Sequence, residues 1–342
     1  MPRFLIPGQT EILVGKGLPR NLLPANETRS RVAVLTQPSV AERAQTVAET
    51  ISKRGVDHVV VVELADGEAA KSLQAVERIY ETLAEMKLGR NDTIVTVGGG
   101  AASDAGGFVA GTWLRGVEVV HLPTTLLAAI DAAIGGKTAV NLAGKNLVGV
   151  FWQPTRVVID LGFLGDIPQA LKRNGAAEAI KAGFLAAPEI IETYRRRGID
   201  APLDRIVPAA VRVKVEIVTE DLTERGRRAL LNLGHTIGHA VEYGGGISHG
   251  EAVSVGLVAE AAIAERRLGF TGYDLMREVL EKVGLPTRAP AVDRADVMSL
   301  IELDKKHDVT GVRMVLLSAE GWPEVHTVTS EDLEYGLGII GL

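Results

Sequence analysis

The stretch Asp92-Thr-Ile-Val-Thr-Val97, followed by Gly98-Gly-Gly-Ala-Ala-Ser-Asp104, joins a β-branched run to a glycine-rich turn and to small residues that favour a helix. Glycines directly after a strand let backbone N–H groups approach a phosphate at a helix N-terminus. The spacing is not GxGxxG, and a plain tight turn would also use glycine. The stretch therefore predicts a strand–turn–helix unit that is a candidate dinucleotide turn.

Strand-like and helix-like segments alternate on the N-terminal side of this turn. Strand-like runs cover residues 31–36 and 58–63, and helix-like segments cover 40–54 and 71–86. This βαβαβ order is typical of a parallel sheet with helices on both faces, which binds ligands at the carboxyl ends of its strands. Further strands are expected at 119–123 and 157–160.

The second half of the chain has a different pattern. From about residue 168 to 300, apolar residues recur with the 3.6-residue period of helices. At 342 residues the chain also exceeds the size of a usual single core. We therefore predict an α/β protein with a Rossmann-like parallel-sheet domain over 1–160 and a mostly α-helical domain over 161–342, the boundary falling near 154–168.

Composition excludes several classes of protein. A net charge of −6 gives no basic field for nucleic acid, and the absence of cysteine excludes disulfides and thiolate metal sites. No apolar run is long enough to span a membrane, and the N-terminus does not resemble a secretory signal. We expect a cytoplasmic protein without membrane or nucleic-acid partners.

Histidines cluster in Asn232-Leu-Gly-His-Thr-Ile-Gly-His239 and Ser248-His-Gly-Glu251. On a helix, His235 and His239 at i and i+4 project from one face and can converge on a divalent cation. Glu178 is the best carboxylate candidate, because it and Lys181 form a charged pair among apolar neighbours. A buried histidine is more often a satisfied core group, but three histidines within fifteen residues favour a metal site.

Cationic and amide side chains interrupt the apolar, glycine-rich segment 131–146. Lys137 and Lys145 stand among small and apolar residues, which suggests that they face anions rather than solvent. Arg115, Lys181, Lys214 and Arg228 add to a surplus of cations suited to a substrate with more than one negative group. Each of them singly could also lie on a solvated surface.

Six ordered motifs together resemble the 3-dehydroquinate synthase family of sugar phosphate cyclases. They are Gly98-Gly-Gly-Ala-Ala-Ser-Asp104, Asp131-Ala-Ala-Ile-Gly-Gly-Lys-Thr138, Gly144-Lys-Asn146, Gly175-Ala-Ala-Glu-Ala-Ile-Lys181, Arg228-Ala-Leu-Leu-Asn-Leu-Gly-His235 with His239, and His249-Gly-Glu-Ala-Val253. The resemblance covers most of residues 58–317. It implies a lyase of the shikimate pathway of aromatic amino-acid biosynthesis, which converts 3-deoxy-D-arabino-heptulosonate 7-phosphate to 3-dehydroquinate and phosphate. The implied cofactors are NAD and Zn²⁺ or Co²⁺.

The resemblance also implies roles for individual residues. Glu178, His235 and His249 would be the metal ligands, and the active site would lie in the cleft between the two domains. The implied substrate and catalytic residues are Arg115, Asp131, Lys137, Asn146, Lys181, Lys214, Asp221, Arg228, Asn232, His239 and one of Lys305 and Lys306. The implied NAD-binding residues are Asp66, Glu68, Lys71, Gly98, Gly99, Gly100, Ala101, Ser103, Asp104, Thr124, Thr125, Lys137, Lys145, Phe163 and Asp166. Arg115 would reach the neighbouring subunit's site, which implies a homodimer.

Several positions depart from the family's pattern. Gln37 stands where an acidic or amide residue often contacts the adenosine ribose, Asp166 replaces a threonine near the cofactor, and Ala170-Leu171 replaces Arg-Glu. The loop from His239 to His249 is short and contains three glycines. These departures concern cofactor affinity and the approach of His249 rather than the type of reaction.

Other functions share parts of this pattern. An amino-3-dehydroquinate synthase acts on a substrate that differs by one nitrogen, and other cyclases act on sedoheptulose 7-phosphate or glucose 6-phosphate. Those cyclases tend to have other residues in place of the Leu-Asn and the second histidine of the motif over residues 228–239. This sequence has the Leu231, Asn232 and His239 of the 3-dehydroquinate synthase pattern. A metal-dependent polyol dehydrogenase would share the glycine turn and the histidine pair but would not need so many cations. A non-catalytic member would be expected to lose Lys137, Lys181 or Asn146.

Overall fold

The computed structural model describes residues 1–303 and 311–342. These residues fall into two compact units, one of residues 1–167 with 214–223 and the other of residues 168–213 with 224–342. The predicted α/β class, with a Rossmann-like sheet and a helical second part, is confirmed. Among the described residues, no helix is both long and apolar enough to cross a membrane.

The strands are β1 (Arg3–Ile6), β2 (Thr10–Gly15), β3 (Arg31–Thr36), β4 (His58–Glu63), β5 (Thr93–Gly98), β6 (Glu118–Pro123), β7 (Lys137–Val140), β8 (Val148–Phe151), β9 (Arg156–Asp160), β10 (Val312–Leu317) and β11 (Pro323–Val328). The helices are α1 (Ala41–Ser52), α2 (Leu73–Glu85), α3 (Gly100–Thr112), α4 (Leu161–Gly165), α5 (Gln169–Ala186), α6 (Pro188–Arg197), α7 (Leu203–Glu220), α8 (His235–Gly245), α9 (His249–Leu268), α10 (Tyr273–Lys282), α11 (Arg294–Leu303) and α12 (Ser330–Ile339).

The first unit is built on a sheet with the strand order β1-β2-β9-β6-β5-β3-β4. All neighbouring pairs are parallel except β1 with β2, which form an antiparallel hairpin. The carboxyl ends of β3, β5, β6 and β9 therefore lie at the same edge. The strand order reverses direction between β3 and β5, and open α/β sheets bind ligands at such a point, outside the carboxyl ends of their strands.

Alternating side chains cover the two faces of this sheet. Ala33 and Leu35 of β3 pack with α2 and α3 on one face, whereas Val32 and Val34 pack with α1 on the other. This period of two follows from the alternation of side chains along a strand. Both faces are apolar because helices cover both, which explains the near-continuous hydrophobic runs that predicted buried parallel strands.

The second unit is organised around α9. Its residues from Ala252 to Ala264 are all buried, and α5, α8, α10 and α12 pack around it. The helices α8 and α9 cross closely: a Cβ on Gly256 would lie 2.0 Å from the Gly234 carbonyl oxygen, and a Cβ on Gly238 would lie 2.9 Å from that of Ala252. Glycine is therefore required at this crossing by contact between backbones.

Three antiparallel hairpins were not predicted. They pair β1 with β2, β7 with β8, and β10 with β11. The last one adds two strands to the part of the chain that was expected to be mostly helical. Five of the six residues of β10 are buried. The strand therefore lacks the alternation of apolar and polar residues that marks a half-exposed strand.

Candidate functional site

The helix α5 places a charged pair in the interior of the second unit. Glu178 and Lys181 have only 2% and 3% of their surfaces exposed. Lys181 Nζ lies 2.6 Å from Glu178 Oε2 and donates a hydrogen bond of 2.7 Å to the carbonyl oxygen of Leu231. Buried charges persist when they are paired and hydrogen-bonded. Lys181, which the family resemblance assigns to the substrate, thus contacts Glu178 and the backbone.

Two imidazoles converge on the other oxygen of Glu178. The Nε2 atoms of His235 and His249 lie 3.3 and 3.2 Å from Glu178 Oε1. The ligand atoms of these three residues are all within 4.8 Å of one another. The structure therefore brings together the three side chains predicted as metal ligands, with His249 reaching the cluster despite the short glycine-containing loop before it.

The Nδ1 atom of each of these histidines has a partner of its own. His235 Nδ1 lies 3.1 Å from the Leu233 carbonyl oxygen, and His249 Nδ1 lies 3.0 Å from Glu242 Oε2. Partners at Nδ1 fix the ring orientation and leave Nε2 to bind a metal, as outer carboxylates and carbonyls do in metalloproteins. Glu242 was not predicted; its position one helical turn after His239 on α8 was the available signal.

Burial and the contacts among Glu178, His235 and His249 shift the pKa values of these three side chains. Burial acts to raise the pKa of Glu178, but Lys181 and His235, with hydrogen bonds from both imidazoles, hold that pKa well below its ordinary value. Burial lowers the pKa of His235. Burial also acts to lower the pKa of His249, but its hydrogen bonds to Glu178 and Glu242 outweigh that effect and raise the pKa to about 9. Glu178 is thus ionised at neutral pH, as a metal ligand must be.

This donor set fits a divalent transition metal. One carboxylate and two imidazoles are suitable ligands for Zn²⁺ or Co²⁺, and catalytic zinc sites use three protein ligands with one position left open. His239 lies on the exposed side of the cluster, with its ring centroid 5.0 Å from that of His235. It also forms a second group with Glu242 and His249 whose ligand atoms approach within 4.8 Å.

The helices that carry the histidines are fixed at their N-termini by neighbouring helices. Glu260 of α9 accepts hydrogen bonds from the backbone at the start of α8, and Asn174 Oδ1 of α5 accepts one of 2.5 Å from Gly250 N at the start of α9. Neither residue was predicted. Each is distant in sequence from the histidine that it supports, so no local pattern marks it.

In the first unit, the predicted dinucleotide turn connects β5 to α3. Gly99 precedes the first residue of α3, as expected for a turn that exposes helix N–H groups. A Cβ on Gly98 would lie 2.5 Å from the Cβ of Ala102, and one on Gly99 would lie 3.3 Å from Thr125 Cγ2. The glycines therefore also satisfy close packing, a requirement that the sequence alone did not indicate.

A polar network lies beside this turn. Lys71 Nζ lies 2.6 Å from Asp104 Oδ2 and also contacts Asn146 Oδ1. Glu68 Oε2 accepts a hydrogen bond of 2.8 Å from Asn141 Nδ2. Burial raises the pKa of Asp104 to about 6, against the opposing effect of Lys71. The structure thus brings both Asp104 and Asn146 into contact with Lys71.

The other predicted NAD-binding residues lie at nearby strand ends or on exposed loops. Thr124 N donates to the Gly98 carbonyl oxygen, and Phe163 follows β9, where its ring lies 5.2 Å from the Arg43 guanidinium carbon. Gln37 after β3 donates to the carbonyl oxygens of Ala65 and Gly67, so its amide supports the 65–67 loop. The exposed members of the predicted set are Asp66, Glu68, Lys137, Lys145 and Asp166.

The predicted substrate residues divide between the two units. In the first, Lys214 Nζ lies 2.5 Å from Asp131 Oδ1, and Asp131 is in a π-helical turn, Ala128–Ala132, a type of irregularity frequent at functional sites. In the second, Asn232 donates to Glu224 Oε1 at 3.3 Å and Arg228 is 1% exposed. Asp221 is half-buried near the end of α7. Lys305 and Lys306 lie outside the described residues.

Arg115 lies on an exposed, strained turn. Leu114 and Arg115 have φ values of +50° and +67°, a region that residues other than glycine seldom adopt, and Gly116 follows at +123°. Consecutive strained residues are concentrated at functional positions. The conformation is compatible with a role for Arg115 outside its own unit.

Comparison with known proteins gives a consistent assignment. Models of the 3-dehydroquinate synthase N-terminal and C-terminal regions match residues 61–174 and 175–307. The 3-dehydroquinate synthase of Nocardia farcinica is 42% identical over 327 residues, covering 91% of this chain and 87% of the relative. That of Mycolicibacterium vanbaalenii is 41% identical over 324 residues, covering 91% and 90%.

Solved structures of other enzymes have a fold similar to that of this chain. A 2-deoxy-scyllo-inosose synthase complexed with carbaglucose-6-phosphate, NAD⁺ and Co²⁺ superposes with a TM-score of 0.85 at 26% identity, covering 97% of this chain and 98% of that one. A 2-epi-5-epi-valiolone synthase from Streptomyces hygroscopicus with NAD⁺ and Zn²⁺ bound has the same fold, with a TM-score of 0.84 at 23% identity and 96% of each chain covered.

The fold and the site together define a sugar phosphate cyclase. Within that class, the chain belongs to the 3-dehydroquinate synthase family.

Proposed function

We propose that this protein converts 3-deoxy-D-arabino-heptulosonate 7-phosphate to 3-dehydroquinate and phosphate, as a lyase of the shikimate pathway. The observation that carries the proposal is the convergence of Glu178, His235 and His249 in a chain that is 42% identical to a 3-dehydroquinate synthase. The reaction oxidises the C5 hydroxyl, eliminates phosphate, reduces C5 and closes the ring by an intramolecular aldol addition.

NAD and a divalent metal, Zn²⁺ or Co²⁺, are the proposed cofactors. When bound, the nicotinamide would accept and return a hydride and the cation would act as a Lewis acid at the C5 oxygen. Glu178, His235 and His249 would be the metal ligands. The turn at Gly98–Gly100 and the start of α3 would bind the pyrophosphate through backbone N–H groups. The presence of NAD⁺ and Co²⁺ in the related 2-deoxy-scyllo-inosose synthase supports this proposal.

The predicted substrate residues would bind and orient the substrate's charged groups. Lys214, which is 8% exposed and paired with Asp131, is suited to hold an anionic or hydroxyl group in a fixed position. His239, on the exposed side of the histidine cluster, is suited to face the phosphate. Fixed cations stabilise developing charge without reorganisation, and fixed geometry brings the reacting carbons together for ring closure.

We further propose that the enzyme is a cytoplasmic homodimer. The argument for the dimer rests on Arg115, whose exposed side chain follows a strained backbone and matches a family residue that reaches the neighbouring subunit. Sedimentation equilibrium tests this proposal, with a dimer expected. A monomer at the concentrations at which the enzyme turns over would contradict it.

The experiment that tests the activity supplies NAD, Co²⁺ and one of four substrates: the heptulosonate 7-phosphate, its amino analogue, sedoheptulose 7-phosphate or glucose 6-phosphate. Phosphate release and the cyclic product are followed in each. We expect turnover of the carboxylated heptulosonate alone. Turnover only of a neutral sugar phosphate would contradict the proposal and would assign the chain to another branch of the cyclases. Turnover of the amino analogue in preference to the heptulosonate would favour the amino-3-dehydroquinate alternative.

A further inference from the structure

The start of α8 lacks a cap from its own sequence. The residue before the helix is Gly234, at φ +80°, and it has no side chain that could accept a hydrogen bond from the first turn. The first N–H groups of a helix have no partner within the helix and need one from elsewhere. His235, one of the three predicted metal ligands, is the first residue of this helix.

Glu260 of α9 supplies the missing acceptor. Its Oε2 accepts from Gly234 N at 2.6 Å, and its Oε1 accepts from Thr236 N at 3.1 Å and Ile237 N at 3.4 Å. The second and third N–H groups of a helix are the ones that an N-cap side chain normally binds. The Glu260 carboxyl group therefore replaces an N-cap residue from a different helix, and it contacts the residues on both sides of His235.

Burying the carboxyl group of Glu260 costs free energy. It is 0% exposed, and burial raises its pKa to about 8 against the opposing effect of the three backbone N–H donors. Its neighbours on α9, from Ala252 to Ala264, are almost all small or aliphatic. An aliphatic residue would pack here without burying a carboxyl group but would leave the three backbone N–H groups without this acceptor, so packing alone does not account for a glutamate at this position.

The surrounding backbone leaves the start of α8 little freedom. A Cβ on Gly234 would lie 2.7 Å from Leu257 Cγ and 3.1 Å from the Val253 carbonyl oxygen. The first turn of α8 is thus pressed against α9 on one side and tied to Glu260 by three hydrogen bonds. Since His235 is the first residue of this turn, the direction of its ring depends on how the turn is held.

We propose that Glu260 is a positioning residue for His235: it fixes the first turn of α8 so that Nε2 of His235 points at Glu178, where the two residues would hold the cation. The inference rests on the metal site of the proposed function. It differs from that proposal because Glu260 is not one of the residues that would hold the cation, and its hydrogen bonds are to the backbone of α8. Outer residues that orient metal ligands typically contribute about 10–100-fold to metal affinity.

The test measures Co²⁺ binding to the chelator-treated protein, by competition for affinity and by visible absorption for the geometry of the bound ion. We expect Glu260→Gln, which keeps one acceptor oxygen, to weaken binding about tenfold and to change the Co²⁺ spectrum. Glu260→Ala should weaken it further. The matched control is Ser254→Ala on the same helix, which removes a buried hydrogen bond of 2.7 Å to the Pro286 carbonyl oxygen. It should lower the thermal midpoint but keep the parent's affinity and spectrum.

The outcomes separate this inference from the proposed function. If the parent binds Co²⁺ and Glu260→Gln, folded by circular dichroism, binds it with the parent's affinity and spectrum, the positioning role is wrong. If Ser254→Ala weakens Co²⁺ binding as much as Glu260→Gln does, the effect is one of stability and the role is again wrong. If the parent does not bind Co²⁺, or if binding survives His235→Ala, the proposed metal site itself is contradicted.

Discussion

At the scale of single residues, Glu178 has contacts on both of its oxygens. One oxygen lies 2.6 Å from the Lys181 ammonium, and the other faces two imidazole nitrogens at 3.2 and 3.3 Å. The lysine supplies a positive charge that makes the buried carboxylate tolerable, and the second oxygen is the one that would bind the cation under the proposed function. A neutral amide at this position would disrupt both functions, because it would place an N–H group against either the lysine or the histidines.

Replacing Glu178→Gln should therefore abolish metal binding and turnover. We expect affinity for Co²⁺ to fall by more than the roughly 100-fold upper range of outer-residue changes, because a ligand is lost. Dialysis followed by metal analysis measures the effect, and circular dichroism verifies the fold. Glu265→Gln, an exposed change on α9, is the control. Metal content and turnover close to the parent's would show that Glu178 is not a ligand.

The three members of the metal cluster could be predicted from the sequence, whereas their supports could not. The i, i+4 spacing of His235 and His239 and the charged pair of Glu178 and Lys181 among apolar residues are local signals, but the spacing indicated His239, and His249 was assigned as a ligand only through the family resemblance. Glu242, Glu260 and Asn174 act through contacts between helices. Which glutamate reaches which helix end depends on tertiary packing, and an isolated sequence does not encode that in any short pattern.

At the scale of secondary-structure elements, the crossing of α8 and α9 determines where the histidines lie. Gly256→Ala would place a methyl group 2.0 Å from the Gly234 carbonyl oxygen, so the helices must separate. We expect a loss of about 1–3 kcal/mol in the free energy of unfolding, despite alanine's higher helix propensity. Gly338→Ala in α12, where nothing lies within 4 Å, is the matched control and should be neutral or stabilising. Equal effects in chemical denaturation would contradict this account.

A second element-scale prediction concerns the loops before β3 and β5. Asp92 accepts hydrogen bonds of 2.9, 2.8 and 2.8 Å from the backbone N–H groups of Ser30, Arg31 and Gly89. Burial acts to raise the pKa of Asp92, but these three hydrogen bonds outweigh it and the pKa is lowered from 3.8. A carboxyl group whose pKa is lower in the folded state stabilises the fold above its ordinary pKa and loses that effect as pH falls.

Asp92→Asn should consequently cost about 2 kcal/mol in the free energy of unfolding at pH 6, since the amide oxygen accepts fewer and weaker hydrogen bonds. The difference from the parent should narrow only as the pH falls below 3.8. Urea denaturation at several pH values measures both free energies, and the exposed Asp57→Asn change is the control. A difference that is constant from pH 6 to pH 3 would rule out the ionised form of Asp92 as its source.

The elements themselves were predictable to different degrees. The parallel strands β3 to β6 and β9 are apolar runs separated by helical segments, and that pattern has few alternative folds. The hairpins of β1 with β2 and β7 with β8 join short strands of four to six residues. Such short strands carry little periodicity, and their pairing is decided by neighbours in the fold.

At the scale of the whole molecule, the family assignment and the cations among the predicted substrate residues lead to one central claim: the protein catalyses a reaction without net redox change. A cyclase oxidises and then reduces its substrate, so NAD is regenerated in each cycle. A polyol dehydrogenase, which shares the glycine turn and histidine pair, would instead convert NAD⁺ to NADH with every molecule of substrate.

The most direct measurement follows phosphate, 3-dehydroquinate and NADH together during turnover of the heptulosonate 7-phosphate with catalytic NAD⁺ and Co²⁺. The account predicts one phosphate per 3-dehydroquinate, many turnovers per NAD⁺ and no accumulation of NADH. NADH formed in proportion to the substrate consumed, without release of phosphate, would contradict it.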